Sequence, residues 1–467
     1  IFRTGSHTSR KSSVKQHEMA ALREMEQMIL AAEAVPAGAE ALERATAHLE
    51  QFLQQVRQKR ILDEKQRAME AFRQQFENGY TWRNGFLRNV ARFGDREALI
   101  EPESGTVWTY TQLNAEANRF SHALLRAGLQ KGDVVMVQLH NCPEFVFAYL
   151  ACHKTGMVFC PVNFRLSAKE ITDCMDNSRP KVFLLEPETQ AEVDMALRRT
   201  AHAPQILLTT DARAAHAYAG FTADCPATEP ELPWELSVYD ETLRLFTSGT
   251  TGRQKSVCLT SINEVLSAHD VMIHFPFSFT DRSMNTTPWF HRGGLHSGGI
   301  TPTLYAGGTV IIQRKFQPEK TLDMVQQYGL TFLIGVPNVL ELLAEAQQKQ
   351  PRDLSSLRGI VTMGSPLERA DCIRYQKILT KRIFNGYGTT ETFWNTFLRP
   401  DDLPEMAGSA GRSCVDDDVR VIKVYEDRVA EPDDLAATDG SEVGEVIIRS
   451  NAKSAAFYFG NPAETRR

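Results

Sequence analysis

The run Val134-Val135-Met136-Val137-Gln138-Leu139 is apolar and rich in β-branched residues, which is typical of a buried strand. Pro143 to Lys154 follow with a helical pattern, and Met157 to Val162 form a second apolar run. Strands that alternate with helices predict right-handed βαβ units and largely parallel sheets. Similar apolar runs return later in the chain, at Lys181–Leu185, Ile206–Leu208, Thr309–Ile312, Thr331–Ile334 and Gly359–Thr362. The sequence therefore predicts an α/β fold with parallel-rich sheets flanked by helices, and with ligands bound beyond the carboxyl ends of the strands.

The composition is that of an ordinary globular protein, with 467 residues of which 42% are hydrophobic and 24% are charged. At roughly 100–200 residues per domain, this length predicts about two to four structural units. The net charge of −6 argues against nucleic acid as the main partner, because nucleic-acid-binding proteins usually carry a basic excess. No apolar stretch approaches the roughly 18 residues of a membrane-spanning helix. The eight cysteines form no CxxC pair, so we expect buried free thiols in a reducing compartment, with the cytoplasm as the default location.

The first 80 residues differ from the rest because they are rich in the helix formers Ala, Glu, Gln and Arg. An apolar residue recurs there at a spacing of seven, which indicates an amphipathic helix, at Leu42, Leu49 and Val56. With a break at Pro36-Ala37-Gly38, the pattern predicts a helical hairpin from about Glu18 to Glu77. Two interpretations stay open: an extension packed on its own protein, or an interaction or dimerisation arm that would allow a homodimer.

The stretch from Leu245 to Lys255 reads Leu-Phe-Thr-Ser-Gly-Thr-Thr-Gly-Arg-Gln-Lys. Small residues let the backbone approach a polyphosphate closely, and consecutive backbone N–H groups can form an anion-binding nest. Ser and Thr hydroxyls add donors, and Lys255 adds positive charge. The lysine spacing differs from that of the P-loop motif GxxxxGK[ST]. The stretch therefore predicts either a phosphate-binding loop or a Ser/Thr/Gly surface turn.

A second segment, Ile383 to Glu391, leads from an apolar pair into Asn-Gly-Tyr-Gly-Thr-Thr-Glu. A tyrosine between two glycines is open to stack on a planar ring, as Tyr387 is here. Glu391 offers carboxylate oxygens, which suit Mg²⁺ beside phosphates. The alternative is a strand that ends in a turn with a solvated glutamate.

Two further segments combine glycines with polar residues. Met363-Gly364-Ser365-Pro366-Leu367 predicts a strand that ends in a tight loop. Pro288 to His296 place His291 among aromatic residues and glycines. This histidine is a candidate gate or acid/base group, or else a buried structural residue.

These four segments, in this order and at these separations, resemble the adenylate-forming superfamily of acyl-CoA synthetases, luciferases and nonribosomal peptide adenylation domains. The resemblance covers about Trp82 to the end, and further matching segments are Pro161–Leu166, Gly408–Arg412, Gly444–Arg449 and Tyr458–Thr465. The helix-rich stretch before it is predicted to be a separate extension over 1–80. Over 81–467 the resemblance implies the family's large N-terminal adenylation domain with a smaller β-rich subdomain.

The resemblance implies that a carboxylate attacks the α-phosphorus of ATP with the help of Mg²⁺, and that coenzyme A then takes the acyl group. Catalysis of the first step is mostly positioning and charge stabilisation. The residues implied in catalysis are Thr247, Lys255, His291, Thr390 and Glu391.

The implied binding residues fall into three groups. ATP would contact Thr247, Ser248, Gly249, Thr250, Thr251, Gly252, Lys255, Gly364, Ser365, Pro366, Asn385, Gly386, Tyr387, Gly388, Thr389, Thr390 and Glu391. Mg²⁺ would contact Thr247 and Glu391. The acyl tunnel would be lined by His291, Gly293, Gly294, Gly335, Val336, Pro337 and Asn338, with Phe393 and Trp394 able to close it.

The chain departs from the family pattern in three ways. Gln254-Lys255-Ser256 stands where the family usually has Pro-Lys-Gly, so the loop loses a residue that fixes φ. The family's ribose-binding Asp and its C-terminal domain with a catalytic lysine normally follow the position of Arg467, and this sequence does not contain them. We therefore expect the native protein to continue. The helical arm is longer than usual for the family.

Three functions stay open from the sequence: an acyl-CoA ligase, an adenylating enzyme that loads a carrier protein, and a non-catalytic nucleotide-binding relative. The segment around His291 favours the first, because peptide-synthetase adenylation domains usually lack that histidine. Basic residues on the arm, Arg57, Lys59, Arg60, Lys65 and Arg67, fit either an acidic carrier or a solvated helix face. The sequence does not select the carboxylic acid.

Overall fold

The computed structural model describes Arg23, Gln27 and residues 39–247, 254–451 and 453–466. The chain divides into two compact units, residues 1–75 and 76–467. The domain boundary predicted after residue 80, between a helical extension and the adenylation domain, stays a prediction.

Most of the first unit that is described belongs to one helix, α1 (Ala39–Gly79). Arg60 and Glu64 form an exposed pair one turn apart on it, with 3.2 Å between Nε and Oε1. Large apolar side chains of α1 are exposed as well, among them Leu62 and Phe72, each 64% exposed. The second helix of the predicted hairpin is confirmed, whereas the break at 36–38 lies outside the described residues. Of the first predicted helix only Arg23 and Gln27 are described, and both are helical.

The remaining helices of the described residues follow in chain order as α2 to α14. They are Trp82–Phe93, Tyr110–Arg126, Pro143–Thr155, Ala168–Ser178, Gln190–Leu197, Tyr218–Thr222, Ser261–His274, Arg292–His296, Ile300–Ala306, Pro318–Tyr328, Pro337–Lys349, Arg369–Ile378 and Pro462–Arg466. The start of α3 shows why such helices begin where they do. Thr109 accepts a hydrogen bond from the backbone of Gln112, whose side chain in turn accepts one from the backbone of Thr109. This reciprocal capping satisfies N–H groups that a helix start leaves without partners.

The strands are numbered β1 to β18 in chain order. They are Glu97–Glu101, Thr106–Thr109, Val134–Gln138, Val158–Pro161, Val182–Leu185, Ile206–Thr209, Glu241–Thr247, Lys255–Thr260, Arg282–Asn285, Thr309–Ile311, Phe332–Gly335, Gly359–Met363, Ile383–Thr389, Phe393–Leu398, Arg412–Ser413, Asp417–Lys423, Gly444–Ser450 and Phe457–Tyr458. Each strand predicted from an apolar run is present, with each end within one residue of the predicted one. The expected alternation of strands and helices is therefore confirmed.

Two large sheets share one design, with parallel strands in the middle and antiparallel strands at an edge. The nine-stranded sheet has the order β15-β14-β13-β12-β11-β9-β10-β1-β2, and its six central strands are parallel. The seven-stranded sheet has the order β18-β8-β7-β4-β3-β5-β6, with five parallel strands and with β8 and β18 antiparallel. Strands β16 and β17 form a separate antiparallel pair. The α/β class, the parallel-rich sheets and a smaller β-rich part are as the sequence predicted.

Buried apolar side chains fill the space between sheets and helices. The central strands are buried along their length, as β3 shows, where all five residues are buried. Strands covered on both faces need such continuous apolar runs, which explains why these runs were visible in the sequence. All eight cysteines are buried and unpaired, as expected. Among the described helices, none combines the length and the apolar character that crossing a membrane requires.

Candidate active site

Four parallel strands of the nine-stranded sheet bring the predicted site segments to one edge. The strands β13, β12, β11 and β9 are neighbours in that order. Because they are parallel, their carboxyl ends meet at the same edge. The residues that follow them are the Glu391 segment after β13, Gly364 after β12, Val336 after β11 and the His291 segment after β9. The topology therefore assembles segments that are separated by up to a hundred residues in the chain.

A cavity of about 340 Å³ lies at this edge. It is lined by Thr287, His291, Arg292, Gly293, Gly294, Ser297, Val336, Met363, Gly364, Gly386, Gly388, Thr389, Thr390, Phe393 and Trp394. Nine of these were predicted as site residues. They come from both the predicted adenine side and the predicted acyl side, so the cavity joins the two.

The end of β13 brings the backbone close to its neighbour β14. A side chain on Gly388 would place its Cβ 1.5 Å from the carbonyl oxygen of Phe393, so only glycine fits there. The strand pairing shifts between Tyr387 and Gly388, and the Tyr387 side chain is 40% exposed. The phenol ring is therefore exposed beside the cavity, and its stacking on a planar ring stays a prediction.

The other predicted residues of the nucleotide segments flank the cavity. Asn385 is buried in β13, whereas Ser365 and Pro366 are exposed in the loop after β12. Gly364 starts that loop with φ +82°, a backbone conformation that favours glycine. On the acyl side, Gly335 ends β11, and Pro337 and Asn338 begin helix α12.

The predicted phosphate loop lies between two paired strands. Thr247 ends β7 and Lys255 begins β8, and these two residues are directly opposite each other in the antiparallel pair. Residues 248–253, which include Ser248 to Gly252, lie outside the described residues. The structure thus describes only the two flanking positions of this segment, Thr247 and Lys255.

Lys255 and Glu391 are linked through one tyrosine. The Tyr458 hydroxyl donates to Glu391 Oε1 at 2.6 Å, and Lys255 Nζ lies 5.4 Å from the centre of the same ring. Lys255 also donates to Glu464 Oε2 at 2.6 Å. The structure therefore brings the predicted phosphate-binding cation and the predicted metal-binding carboxylate to two sides of Tyr458.

Arg292 is a buried cation in the wall of the cavity. Its guanidinium donates to the backbone oxygens of Thr390 at 2.5 Å and Lys453 at 2.8 Å, and to Ser267 Oγ at 3.2 Å. Burial lowers the pKa of Arg292 to about 10, against the opposing effect of nearby carboxylates. Since that value is still well above neutral pH, the group stays charged and ties the end of β13 to helix α8.

Glu264 lies at the centre of a buried polar network beneath the His291 segment. Its carboxylate accepts from the Tyr149 hydroxyl at 2.5 Å and lies 2.9 Å from His296 Nε2. Burial raises the pKa of Glu264, but the charges and hydrogen bonds of His296 and His153 outweigh it, so that the pKa falls well below its ordinary range. The carboxylate is thus ionised and fixes helix α9 against α8.

His291 precedes helix α9 and lines the cavity with its ring against Phe290, 4.2 Å between ring centres. Part of the imidazole is exposed, yet desolvation of the rest lowers the pKa of His291. The neutral imidazole is therefore the dominant form near pH 7. A neutral ring at this position can accept or donate one proton.

Several lining residues were not predicted. Thr287 and Ser297 had no sequence signal, because they reach the cavity only through the packing of β9 and α9. Arg292 lies in the segment Pro288 to His296, but the sequence assigned it no role. Ser297 Oγ and Trp394 Nε1 are buried, and no described side chain or backbone group bonds to either.

Glu391 and Thr247, the two residues predicted to contact Mg²⁺, both carry side-chain oxygens, and their role as metal ligands stays a prediction. The Glu391 side chain is half-buried, and Thr247 is the last residue of strand β7 in the seven-stranded sheet. This donor set suits Mg²⁺, which prefers oxygen ligands and commonly shares them with phosphates.

A second cluster, Asp270, His274 and Cys414, brings its ligand atoms within 4.8 Å of one another. Lys453 lies 3.0 Å from the Asp270 carboxylate, and Arg399 bonds to His274 Nδ1. Cations at two of the three ligands disfavour a metal ion there.

Comparison with known proteins agrees with this geometry. The protein-family model for AMP-binding enzymes matches residues 86–458. An indoleacetate–CoA ligase of Aromatoleum aromaticum is 30% identical over 364 residues, which cover 76% of this chain and 69% of that protein. A feruloyl-CoA synthase of Amycolatopsis sp is 30% identical and covers 79% and 71%. The fatty acid–[acyl-carrier-protein] ligase ScoC of Streptomyces coeruleorubidus is 29% identical and covers 77% and 67%.

A solved structure extends the agreement to the fold. The N-terminal domain of FACL13 from Mycobacterium tuberculosis matches with a TM-score of 0.72 and 25% identity, over 83% of this chain and 93% of that one. Family match, relatives and fold all coincide with the part of the chain that carries the cavity. The chain belongs to the AMP-binding enzyme family.

Proposed function

We propose that this protein activates a carboxylic acid with ATP and passes the acyl group to coenzyme A. A carboxylate oxygen attacks the α-phosphorus and pyrophosphate leaves, which gives the acyl-adenylate. The sulfur of the deprotonated thiol then attacks the acyl carbon, and AMP leaves with the electron pair of the broken C–O bond. The observation that supports this most is the single cavity that joins the predicted adenine side to the predicted acyl side.

The nucleotide half of the site follows from charge and shape. Lys255 supplies a cation to the phosphates, while Thr247 and Glu391 hold Mg²⁺, which neutralises phosphate charge when bound. Tyr387 stacks on the adenine ring, and the backbone around Gly364 borders the same ring. Thr390 contacts the α-phosphate. Arg292 holds the Thr390 backbone carbonyl group in place through a hydrogen bond.

The acyl half of the site lies between α9 and β14. Gly293 leaves room beside Met363, Gly294 packs closely against the backbone of Pro288, and Phe393 and Trp394 form an apolar wall. His291 stands at the junction of the two halves and aids the acyl or thiol step. Two relatives are named for acids with an aromatic ring, indoleacetate and ferulate, and ScoC is named for fatty acids, so both classes of acid are candidates.

An acyl carrier protein is the second candidate acceptor. The relative ScoC is named as a ligase for such a carrier, which is what favours this candidate. The unpaired buried cysteines support a cytoplasmic location. A homodimer stays a prediction that light scattering would test.

The test is pyrophosphate release by the native-length protein with Mg·ATP and a panel of carboxylic acids, with and without coenzyme A. Release that needs the acid and rises with coenzyme A supports the proposal and identifies the acid. Release that rises only with an acyl carrier protein supports the second candidate. No release with any acid contradicts both.

A further inference from the structure

The last described segment, Phe457 to Arg466, runs back along the strand that begins with Lys255. Phe457 and Tyr458 pair antiparallel with Cys258 and Val257 of β8. The backbone N–H of Phe459 extends the pairing by donating to Ser256 O at 2.9 Å. Strand β18 therefore forms the edge of the seven-stranded sheet beside the proposed phosphate site.

This segment bonds to both groups that the proposed function assigns to Mg·ATP. Glu464 Oε2 accepts from Lys255 Nζ at 2.6 Å, and the Tyr458 hydroxyl donates to Glu391 Oε1 at 2.6 Å. A carboxylate oxygen accepts a charge-assisted hydrogen bond from a lysine ammonium group, as a phosphate oxygen does. The hydrogen bond from the Tyr458 hydroxyl occupies one of the two Glu391 carboxylate oxygens that a cation would use.

The Lys255–Glu464 pair is partly shielded from water. The two side chains are 18% and 22% exposed, and the Tyr458 ring covers one side of the ammonium group. Partial shielding makes an ion pair stronger than it is on an open surface. An incoming phosphate therefore meets a lysine whose charge is already neutralised, next to a carboxylate that repels it.

The position of the segment does not depend on these two bonds alone. Tyr458 N donates to Thr465 Oγ1 at 3.0 Å, and Glu464 N donates to Asn461 Oδ1 at 3.2 Å, so helix α14 folds back on β18. The Arg244 guanidinium lies 3.6 Å from the centre of the Phe459 ring. Loss of the Glu464 carboxylate should thus free Lys255 without releasing the segment.

We propose that the segment Phe457–Arg466 occupies the Mg·ATP groups of the nucleotide-free protein and competes with the nucleotide for them. Glu464 holds Lys255, and Tyr458 holds Glu391, until ATP and Mg²⁺ exchange with them. The segment then sets the affinity for nucleotide. This inference rests on the proposed function, since it assumes that Lys255 and Glu391 meet Mg·ATP.

The test is calorimetric binding of Mg·ATP, without acid, to the full chain and to Glu464→Gln. Gln keeps the shape and removes the charge, so we expect binding about two- to fivefold tighter, the size of one partly exposed ion pair. The matched control is Glu445→Gln, an exposed carboxylate on β17, with unchanged affinity. Tyr458→Phe should lower the Mg²⁺ concentration needed for half-maximal ATP binding, because Glu391 is freed.

Each outcome separates the two claims. The competition is overturned if Glu464→Gln binds Mg·ATP equally or more weakly than the unchanged chain, while the unchanged chain binds normally and the variant keeps its melting temperature. That result leaves the proposed function standing. Binding by neither protein overturns both. Tighter binding by Glu464→Gln and not by the control supports the competition.

Discussion

Glu264 Oε1 lies 2.9 Å from His296 Nε2, and neither side chain has solvent-accessible surface. The carboxylate is on α8 and the imidazole ends α9, the helix that follows His291. Removal of one partner of a buried pair leaves a charge without compensation. We therefore expect Glu264→Ala to lower the free energy of unfolding by about 3–5 kcal/mol in urea denaturation. A similar loss for the exposed Glu319→Ala would contradict the special role of the buried pair.

The same pair makes stability depend on pH in a defined direction. The pKa of Glu264 is held well below that of an unfolded glutamate, about 4.3. Its contribution is therefore complete above the unfolded pKa and is lost as the pH falls below it. Melting temperatures between pH 7 and 3 should fall less for Glu264→Gln than for the unchanged chain. Parallel curves would show that Glu264 does not carry this dependence.

Glu391→Gln should remove most Mg·ATP-dependent activity while the fold stays intact, because the change replaces a metal ligand and not core volume. Pyrophosphate release measures the first effect and thermal unfolding the second. Glu319→Gln, an exposed carboxylate on α11, is the control with unchanged release. Near-normal release by Glu391→Gln would count against its assignment as a metal ligand.

His291→Ala should slow thioester formation more than it weakens ATP binding, because the imidazole lies between the two halves of the cavity. Its pKa is lowered by desolvation, so the neutral form persists to below the ordinary value of about 6.5. The rate of thioester formation should therefore fall with acid only below that pH, and this fall should disappear in the variant. The exposed His216→Ala is the control. Unchanged thioester formation by His291→Ala would remove the residue from the site.

The sequence predicted those parts of the protein that local residues determine. Continuous apolar runs predicted the buried strands, because strands covered on both faces have no polar side to alternate with. The resemblance identified the segments at the ends of β9, β11, β12 and β13. Contacts between distant residues had no such signal. Glu264 and His296 each look like single polar residues in the sequence, and only the packing of α9 against α8 joins them.

The acyl wall offers a test of cavity size. A Cβ on Gly293 would lie 3.1 Å from Met363 Sδ and 3.2 Å from Cε, and both are ends of a flexible side chain. Gly293→Ala should therefore fold normally but narrow the cavity. We expect kcat/KM for the largest accepted acid to fall about tenfold or more, with a smaller change for the smallest acid. ATP binding should stay unchanged.

The double variant Gly293→Ala/Met363→Ala is the matched control, because it keeps the new methyl group and removes its neighbour. Activity on the large acid should return at least in part. The effect of the double variant on kcat/KM is then smaller than the sum of the effects of the two single substitutions. A loss that is the same for all acids, or one that the second substitution leaves unchanged, would mean that Gly293 supports the local backbone and does not shape the acyl pocket.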